Sequence, residues 1–392
     1  MNNGRFATPN PPVHRTSTVL FDSVAHLEEV QAGMRRNDPS ITMYGTFGTP
    51  TTEALSKVLL AGEGGAGVAF APSGLGAVSL ALLSVLKSGH HVLIPDSVYG
   101  PTRELCDTTL AGLGITTEYY DPTIGGGIAS LFRPNTAAVL IESPGSYTFE
   151  IQDVPAIVAA AKSRSPAVVT LMDNAWGSPG LFKPFDKGVD ISIVPLTKYW
   201  GGHADLLIGA VFANEAHWSA VRSTAFALGT CTNADDAYLA LRGARTVSLR
   251  LRQHEASALA VAHWLDGRPG VGRVLHPALP SCPGHDLWKR DCSGSNGLFS
   301  FTLTNTDGAP ASVHQVATFV DTLVGHGVFR LGYSWGGYES LVMPAALPSA
   351  PNIARTARAT LFANIVRLHV GLEPVDELTE SLAKAFRAHL GG

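Results

Sequence analysis

The sequence has few cysteines, no long apolar run and no block of basic residues, and each absence excludes a class of protein. Its four cysteines follow no CxxC or Cys/His spacing, so neither a zinc site nor a disulfide framework is indicated. No apolar run approaches the ~20 residues that span a bilayer, and residues 1–6 lack the apolar core of a secretory signal. The net charge is −4 and the basic residues are scattered, which argues against nucleic acid or a membrane as a partner. We therefore expect a cytoplasmic globular protein without a bound metal.

The length and composition of the chain are typical of an enzyme with more than one domain. A chain of 392 residues is long for a single core, and 45% of its residues are hydrophobic while 15% are charged. Residues 1–50 are rich in Pro, Thr and Asn and cannot form their own core, so we predict an arm that lies on another surface, such as a neighbouring subunit. Residues 51–244 form the predicted α/β domain and residues 245–392 a smaller α+β domain.

Regular alternation of apolar strands and single helices begins near residue 51. The predicted strands are 68–70, 91–95, 115–119, 137–142, 167–173 and 191–194. Strands that are apolar throughout and separated by helices predict a buried, mostly parallel sheet. We also predict a helix after the three glycines at 125–127 and one long helical stretch over 234–265.

A lysine follows one of these strands directly. Lys198 comes after the apolar run Ile191 to Val194 and precedes a pair of glycines. Lysine is strongly hydrated and is normally kept out of such positions, but a desolvated amine loses its proton more readily and can bond to an aldehyde. A surface lysine that merely follows a buried strand is the alternative. Asp173 ends the neighbouring apolar run, and a lysine and an acid at two strand ends are the groups that a pyridoxal phosphate site needs.

Two glycine-containing turns compete as phosphate-binding sites. The segment Gly62 to Gly67 matches GxGxxG, but it follows a helix and precedes a strand, the reverse of the order that a dinucleotide site requires. The turn at Ser73-Gly74 follows a strand and opens a helix, so its backbone N–H groups and the helix dipole can hold an anion. We therefore place the anion site at Gly74 rather than in the GxGxxG segment.

With these features in place, the chain resembles the Cys/Met-metabolism family of pyridoxal-phosphate enzymes along nearly its whole length. Four stretches most resemble the branch of bacterial cystathionine β-lyases: ESPGSYTFE at 142–150, PALP at 277–280, SGSNGLFSF at 293–301 and YSWGGYE at 333–339. Members that act at the γ-carbon typically have Asn-Pro after Glu-Ser-Pro and lack the Trp of the last stretch. The resemblance implies fold type I, which is aspartate-aminotransferase-like, and pyridoxal 5'-phosphate as the cofactor.

The resemblance also implies roles for single residues. Lys198 would bond to the cofactor and later move the α-proton, Asp173 would pair with the pyridinium nitrogen, and Tyr99 would stack on the ring and assist proton movement. The phosphate would be held by Gly74, Leu75, Thr197 and Tyr44 of a neighbouring subunit, which makes a dimer the smallest active unit. The substrate α-carboxylate would be held by Arg367, with Ser334 and Trp335 beside it. Family members usually form tetramers, so we expect a homotetramer.

The arm departs from the branch pattern. Cystathionine β-lyases usually have two arginines after Tyr-Gly, whereas this chain has Thr46 and Phe47. Phe47 offers apolar contact to the far end of the substrate instead of carboxylate recognition, and Arg103 is a candidate to compensate. Asp205 is expected to orient the lysine loop, and His203 to be structural.

The implied activity is α,β-elimination. L-Cystathionine, giving homocysteine, pyruvate and ammonia, is the leading substrate, followed by other S-substituted cysteines with an apolar tail. The alternatives are a reaction at the γ-carbon on the same fold, by elimination or replacement, and a cofactor-binding regulatory protein with little turnover.

Overall fold

Two β-sheets organise the described part of this computed structural model, which comprises residues 8–36, 41–346 and 364–391. One sheet has seven strands and the other has five. The strands are β1 (Gly67–Ala71), β2 (His91–Pro95), β3 (Thr116–Tyr120), β4 (Thr136–Glu142), β5 (Val169–Asp173), β6 (Ile191–Pro195), β7 (Gly209–Ala213), β8 (Val271–Leu275), β9 (Leu298–Leu303), β10 (Arg330–Leu331), β11 (Leu341–Pro344) and β12 (Ile365–His369). The helices are α1 (Val24–Arg35), α2 (Pro50–Glu63), α3 (Gly74–Val85), α4 (Gly100–Glu104), α5 (Val154–Arg164), α6 (Glu215–Leu228), α7 (Ala234–Ala244), α8 (Val247–Leu265), α9 (His285–Asp291), α10 (Val313–Gly325) and α11 (Val375–His389).

The first sheet has the strand order β1-β7-β6-β5-β4-β2-β3. The run from β3 to β6 is parallel, and β7 is antiparallel to both of its neighbours. The prediction of a mostly parallel sheet is therefore confirmed. Helices cover both faces: Val92 and Ile94 pack in the cluster that contains α3 and α6, whereas Leu93 packs in the cluster that contains α5. Burial on both faces explains why these strands are apolar throughout.

The second sheet has the order β10-β11-β12-β9-β8 and packs against α8, α10 and α11. Its strands lie between residues 271 and 369, and those of the first sheet between 67 and 213. The predicted boundaries at 50/51 and 244/245, and the arm's contact with a neighbouring subunit, stay predictions. Residues 1–7, 37–40, 347–363 and 392 of the predicted arm and C-terminal domain lie outside the described residues.

Two of the predicted helices are wrong in detail. The stretch 234–265 is not one helix, because the chain turns after Ala244 and restarts at Val247. At this break Gly243 packs on the backbone of the lysine loop, and its carbonyl accepts a hydrogen bond from Arg250 Nη2 at 2.9 Å. The glycines at 125–127 open a 3-10 turn, Gly125–Leu131, instead of an α-helix, since three glycines make helix formation costly.

Among the described residues, none forms a helix with both the length and the apolar character needed to cross a bilayer.

Candidate active site

A cavity of about 860 Å³ lies at the carboxyl ends of the parallel strands, where the first sheet meets the second. Open parallel sheets place ligands at this edge. The cavity is lined by the residues predicted from the sequence to hold cofactor and substrate, except Tyr44 and Phe47: Gly74, Leu75, Tyr99, Asp173, Thr197, Lys198, Ser334, Trp335 and Arg367. The structure thus brings together groups that are up to about three hundred residues apart in the chain.

Lys198 presents a buried amine to this cavity. Its Nζ donates a hydrogen bond to Ser334 Oγ at 2.7 Å and lies 5.0 Å from the centre of the Trp335 ring. Burial above all, and then the charge of Arg367, lower the pKa of Lys198 to about 7, while the charge of Asp173 opposes this change. A large fraction of the amine is therefore unprotonated near neutral pH, which is the form that attacks an aldehyde.

Asp173 is the last residue of β5 and faces the same cavity. One carboxylate oxygen accepts the Ala175 N–H at 3.0 Å. Burial raises the pKa of Asp173 to about 6, and the Ala175 N–H and the Lys198 charge oppose this rise. A cationic ring nitrogen bound beside it would lower that pKa again, because an opposite charge favours the ionised form.

The N-terminus of α3 provides an anion site. Ser73 caps the helix, with its Oγ accepting the Gly76 N–H at 3.0 Å and its carbonyl accepting the Ala77 N–H at 3.0 Å. The first N–H groups of a helix have no partner within it, so the amides of Gly74 and Leu75 remain for a ligand. A side chain at residue 74 would lie 2.7 Å from Pro195 Cβ, which explains why glycine stands there.

Arg367 lies on β12, and only 8% of its surface is exposed. Its Nη2 donates to the Ser334 carbonyl at 3.3 Å, and its guanidinium stacks on the Tyr147 ring at 4.7 Å. No carboxylate forms an ion pair with it among the residues that the structure describes. A buried cation without an anionic partner is costly, and here it faces a cavity next to the lysine amine, where a ligand carboxylate can reach it.

Tyr99 and Thr197 complete the predicted set. Tyr99 opens α4, is 45% exposed, and its backbone N–H donates to Glu142 Oε2 at 2.8 Å. Burial of the phenol raises the pKa of Tyr99, so its hydroxyl is protonated at neutral pH. The Thr197 hydroxyl accepts a hydrogen bond from the N–H of Ile208 at 3.3 Å, which ties the residue before Lys198 to the residue before β7.

Two aromatic residues at the site were missed in the sequence. Tyr147, the stacking partner of Arg367, stands within the 142–150 stretch, and its backbone φ is +63°. Trp176 lies three residues after Asp173, and its indole N–H donates to the Leu298 carbonyl at 3.2 Å. Both belong to motifs that the sequence made visible, but no spacing rule predicts which aromatic residue of a motif faces the ligand.

The other residues singled out in the sequence either lie outside the cavity or already have a partner. Tyr44 is 44% exposed, and Phe47 packs edge-on against Phe226 at 4.6 Å between ring centres. Arg103 reaches the cavity, but its guanidinium is paired with Asp96 at 2.5 Å. His203 Nδ1 is hydrogen-bonded to the Gly201 carbonyl at 2.8 Å, which fits the structural role expected for it.

Fold and side chains together define a class. The site combines a desolvated lysine with a buried acid at the edge of a mostly parallel sheet, where a helix N-terminus offers unpaired amides. This combination meets the requirements of a pyridoxal-phosphate-dependent enzyme of fold type I. These groups also fit the cofactor chemically, because its aldehyde would meet the Lys198 amine, its ring nitrogen the Asp173 carboxylate, and its phosphate the backbone N–H groups at the start of α3.

Comparison with known proteins narrows the class to a family. The family model described as "Cys/Met metabolism PLP-dependent enzyme" matches residues 1–387, and the chain belongs to this family. A putative cystathionine beta-lyase of Rhizobium johnstonii is 49% identical, covering 97% of this chain and 91% of the relative. The cystathionine beta-lyase of Escherichia coli is 41% identical, with 96% and 93% covered. The crystal structure of a cystathionine gamma synthase from Xanthomonas oryzae, in complex with aminoacrylate and cysteine, superposes with a TM-score of 0.85 at 32% identity, covering 97% and 93%. The cofactor is therefore pyridoxal phosphate.

Proposed function

We propose that this protein is a pyridoxal-phosphate-dependent carbon–sulfur β-lyase that cleaves L-cystathionine to homocysteine, pyruvate and ammonia. The observation that carries the proposal is the pairing of a proton-accepting amine with a carboxylate clamp: Lys198 and Arg367 face one cavity and are linked through Ser334. An α-amino acid held at its carboxylate there presents its Cα–H to the lysine.

The cofactor would be held at three points. Gly74 and Leu75 would bind its phosphate through their backbone amides, and Asp173 would keep a proton on the ring nitrogen. Lys198 would hold the aldehyde carbon. Bound there, pyridoxal phosphate supplies a ring that accepts the electron pair left when Cα loses its proton.

The substrate would be oriented by the second sheet. Arg367 binds the α-carboxylate in a bidentate pair, and stacking on Tyr147 fixes the plane of the guanidinium. Ser334 holds the Lys198 amine at 2.7 Å and so limits where that amine can take a proton. Tyr99, protonated at neutral pH, would pass a proton to the departing sulfur.

Products separate β-cleavage from the alternatives. Incubation with L-cystathionine should give pyruvate and homocysteine in equal amounts, whereas γ-cleavage would give 2-oxobutyrate and cysteine. The gamma synthase from Xanthomonas oryzae has a similar fold, so the fold does not decide between the two bonds. A Lys198→Ala variant should lose turnover; full function of that variant in cells would instead support a regulatory role.

The substrate tail is a second question, because Thr46 and Phe47 stand where related enzymes have arginines. Loss of a charged hydrogen bond to a carboxylate costs about 1.5–3 kcal/mol, on the order of a tenfold to a hundredfold change in selectivity. Comparing kcat/KM for cystathionine, cystine and an S-alkyl cysteine therefore tests whether the tail is read as a charge or as an apolar group. A strong preference for cystathionine would argue against apolar recognition by Phe47.

We further propose that the active unit is a homodimer, assembled into a tetramer, in the cytoplasm. Tyr44 does not line the cavity of its own chain, and part of its ring is exposed, so it is available to a neighbouring subunit. All four cysteines are free, in keeping with a reducing compartment. Co-expression of Tyr44→Phe and Lys198→Ala chains should restore activity in hybrid dimers above that of either variant alone.

A further inference from the structure

Glu63 is the residue of the Gly62 to Gly67 segment that packing alone does not explain. The glycines have steric reasons, because a Cβ at residue 62 would lie 3.0 Å from the Trp200 ring and one at residue 67 would lie 2.2 Å from the Trp218 ring. Glu63 ends α2 and is only 5% exposed. A carboxylate at the C-terminus of a helix is disfavoured by the helix dipole, and its burial adds to that cost. The reason for a glutamate at this position is therefore to be sought in its hydrogen-bonding partners.

The partners of Glu63 come from two neighbouring loops. Ser178 Oγ donates to Oε1, and Asn174 Nδ2 donates to Oε2 at 3.3 Å. Trp200 Nε1 in turn donates to Ser178 Oγ at 2.8 Å. Asn174 and Ser178 follow β5, whereas Trp200 follows β6. One carboxylate therefore joins the loops at the ends of two adjacent strands.

These loops carry the two proposed cofactor anchors. Asn174 is the residue after Asp173, and Trp200 is two residues after Lys198. The Asn174 backbone N–H also donates to the Ile193 carbonyl of β6 at 2.9 Å, which ties the two strands at the same level. Glu63 does not line the cavity, and neither do its hydrogen-bonding partners. We propose that Glu63 is a positioning residue that fixes the spacing between Asp173 and Lys198, and through it the seat of the cofactor.

The hydrogen-bond directions favour a carboxylate at this point. Ser178 and Asn174 both donate to Glu63, and only a side chain with two accepting atoms satisfies both. Burial raises the pKa of Glu63 to about 7, and the hydrogen bonds from Ser178, Asn174 and Trp200 hold it lower than burial alone would. A glutamine would have to turn its NH₂ group toward one of the two donors. Glu63→Gln therefore breaks one of the two links while keeping the size of the side chain.

The experiment compares Glu63→Gln with Asp190→Asn. Asp190 is also 5% exposed and accepts hydrogen bonds from the Thr170 N–H at 2.8 Å and from Lys162 at 2.6 Å, but it precedes β6 and lies at the opposite edge of the sheet. The readouts are the dissociation constant of pyridoxal phosphate from cofactor-free protein, the pH midpoint of the visible absorption of the bound cofactor, and the Tm without cofactor. The inference rests on the assignment of Asp173 and Lys198, so borohydride labelling of Lys198 in the unaltered protein is checked first.

We expect Glu63→Gln to weaken cofactor binding about tenfold, the scale of one lost hydrogen bond to a charged group, and to move the pH midpoint. Asp190→Asn should lower the Tm while both cofactor readouts stay unchanged. Equal cofactor readouts in the two variants would overturn the inference, whereas absence of label on Lys198 would overturn the site assignment instead. Should Glu63→Gln fail to fold, Ser178→Ala cuts the link to Trp200 and should change the cofactor readouts in the same direction.

Discussion

Replacement of Arg367 by lysine tests the carboxylate clamp most directly. The side chain is buried, donates to the Ser334 carbonyl at 3.3 Å and stacks on Tyr147 at 4.7 Å. Lysine keeps the positive charge but cannot form a planar, two-point pair with a carboxylate. The substitution thus separates the geometry of the clamp from its charge.

The expected loss follows from the interactions that lysine cannot replace. One hydrogen bond to a charged group contributes ~1.5–3 kcal/mol, and the stacking of the guanidinium on a ring contributes ~0.5–1 kcal/mol. Together they amount to about 2–4 kcal/mol, or roughly a 30- to 900-fold decrease in kcat/KM. Because the clamp acts on the substrate and not on the cofactor, cofactor content should stay unchanged.

The assay measures kcat/KM for L-cystathionine from initial rates of thiol release. Arg330→Lys is the matched control, since Arg330 is an exposed arginine on β10 of the same sheet and should tolerate the change. An S-substituted cysteamine lacks the α-carboxylate, so its slow reaction should be equally slow with both side chains at residue 367. A decrease of less than threefold with cystathionine, at normal cofactor content, would refute the clamp.

Four further outcomes are expected. Burial lowers the pKa of Lys198 to about 7 from 10.5, so between pH 7 and pH 10.5 the folded cofactor-free chain binds fewer protons at this amine than the unfolded chain does. The free energy of unfolding should therefore rise with pH across this range. Urea denaturation at both ends of the range should show the rise for the unaltered chain but not for Lys198→Met. Arg367→Met should raise the Tm of the cofactor-free protein, because it removes a buried cation that has no ion-pair partner among the described residues. Gly74→Ala should weaken cofactor binding measured by titration, since its Cβ would lie 2.7 Å from Pro195 Cβ and push the anion-binding amides away. Asp173→Asn should leave the cofactor bound but lower kcat by at least about a hundredfold, because an amide does not hold a proton on the ring nitrogen.

Local signals predicted the elements well. Ser73 caps α3 as the strand–turn–helix pattern indicates, and strands β4 to β6 end within one residue of the predicted positions. The reason is that capping and apolar periodicity are properties of adjacent residues. The break between α7 and α8 was missed because its cause, the packing of Gly243 on the lysine loop, is a contact across more than forty residues.

Parts of the site could be named but not connected. Lys198, Ser334 and Arg367 were each predicted from motifs, yet Ser334 joins the other two through hydrogen bonds that span 136 and 33 positions of the chain. Arg103 shows the opposite case, because it was a candidate to compensate for the missing arginines of the arm, whereas the structure pairs it with Asp96. A side chain's availability depends on neighbours that no local pattern specifies.

The proposed cofactor-binding and substrate-binding residues lie on different sheets. Lys198 and Asp173 belong to the first sheet, whereas Arg367 and Ser334 belong to the second or its loops. The distance between amine and clamp is therefore set by the hydrogen bonds that cross between the sheets. Besides the bond from Lys198 to Ser334, they include the Trp176 indole to the Leu298 carbonyl at 3.2 Å, the Asn296 amide to the Trp176 carbonyl at 2.7 Å, and the Gly297 N–H to the Tyr199 hydroxyl at 2.9 Å.

This division has a consequence for specificity. The distance between the amine and the carboxylate is the same in every α-amino acid. The contact between the two sheets, which fixes the distance from Lys198 to Arg367, therefore suits any α-amino acid substrate. Under the proposed function, the bond that breaks would then be chosen by side chains that face the rest of the substrate, such as Tyr99 and residues of a neighbouring subunit's arm. That arrangement explains how a cystathionine gamma synthase can share the fold at a TM-score of 0.85. In the proposed dimer, where Phe47 would reach the site of the neighbouring subunit, changes at Phe47 should alter the choice of substrate without disturbing the removal of the α-proton.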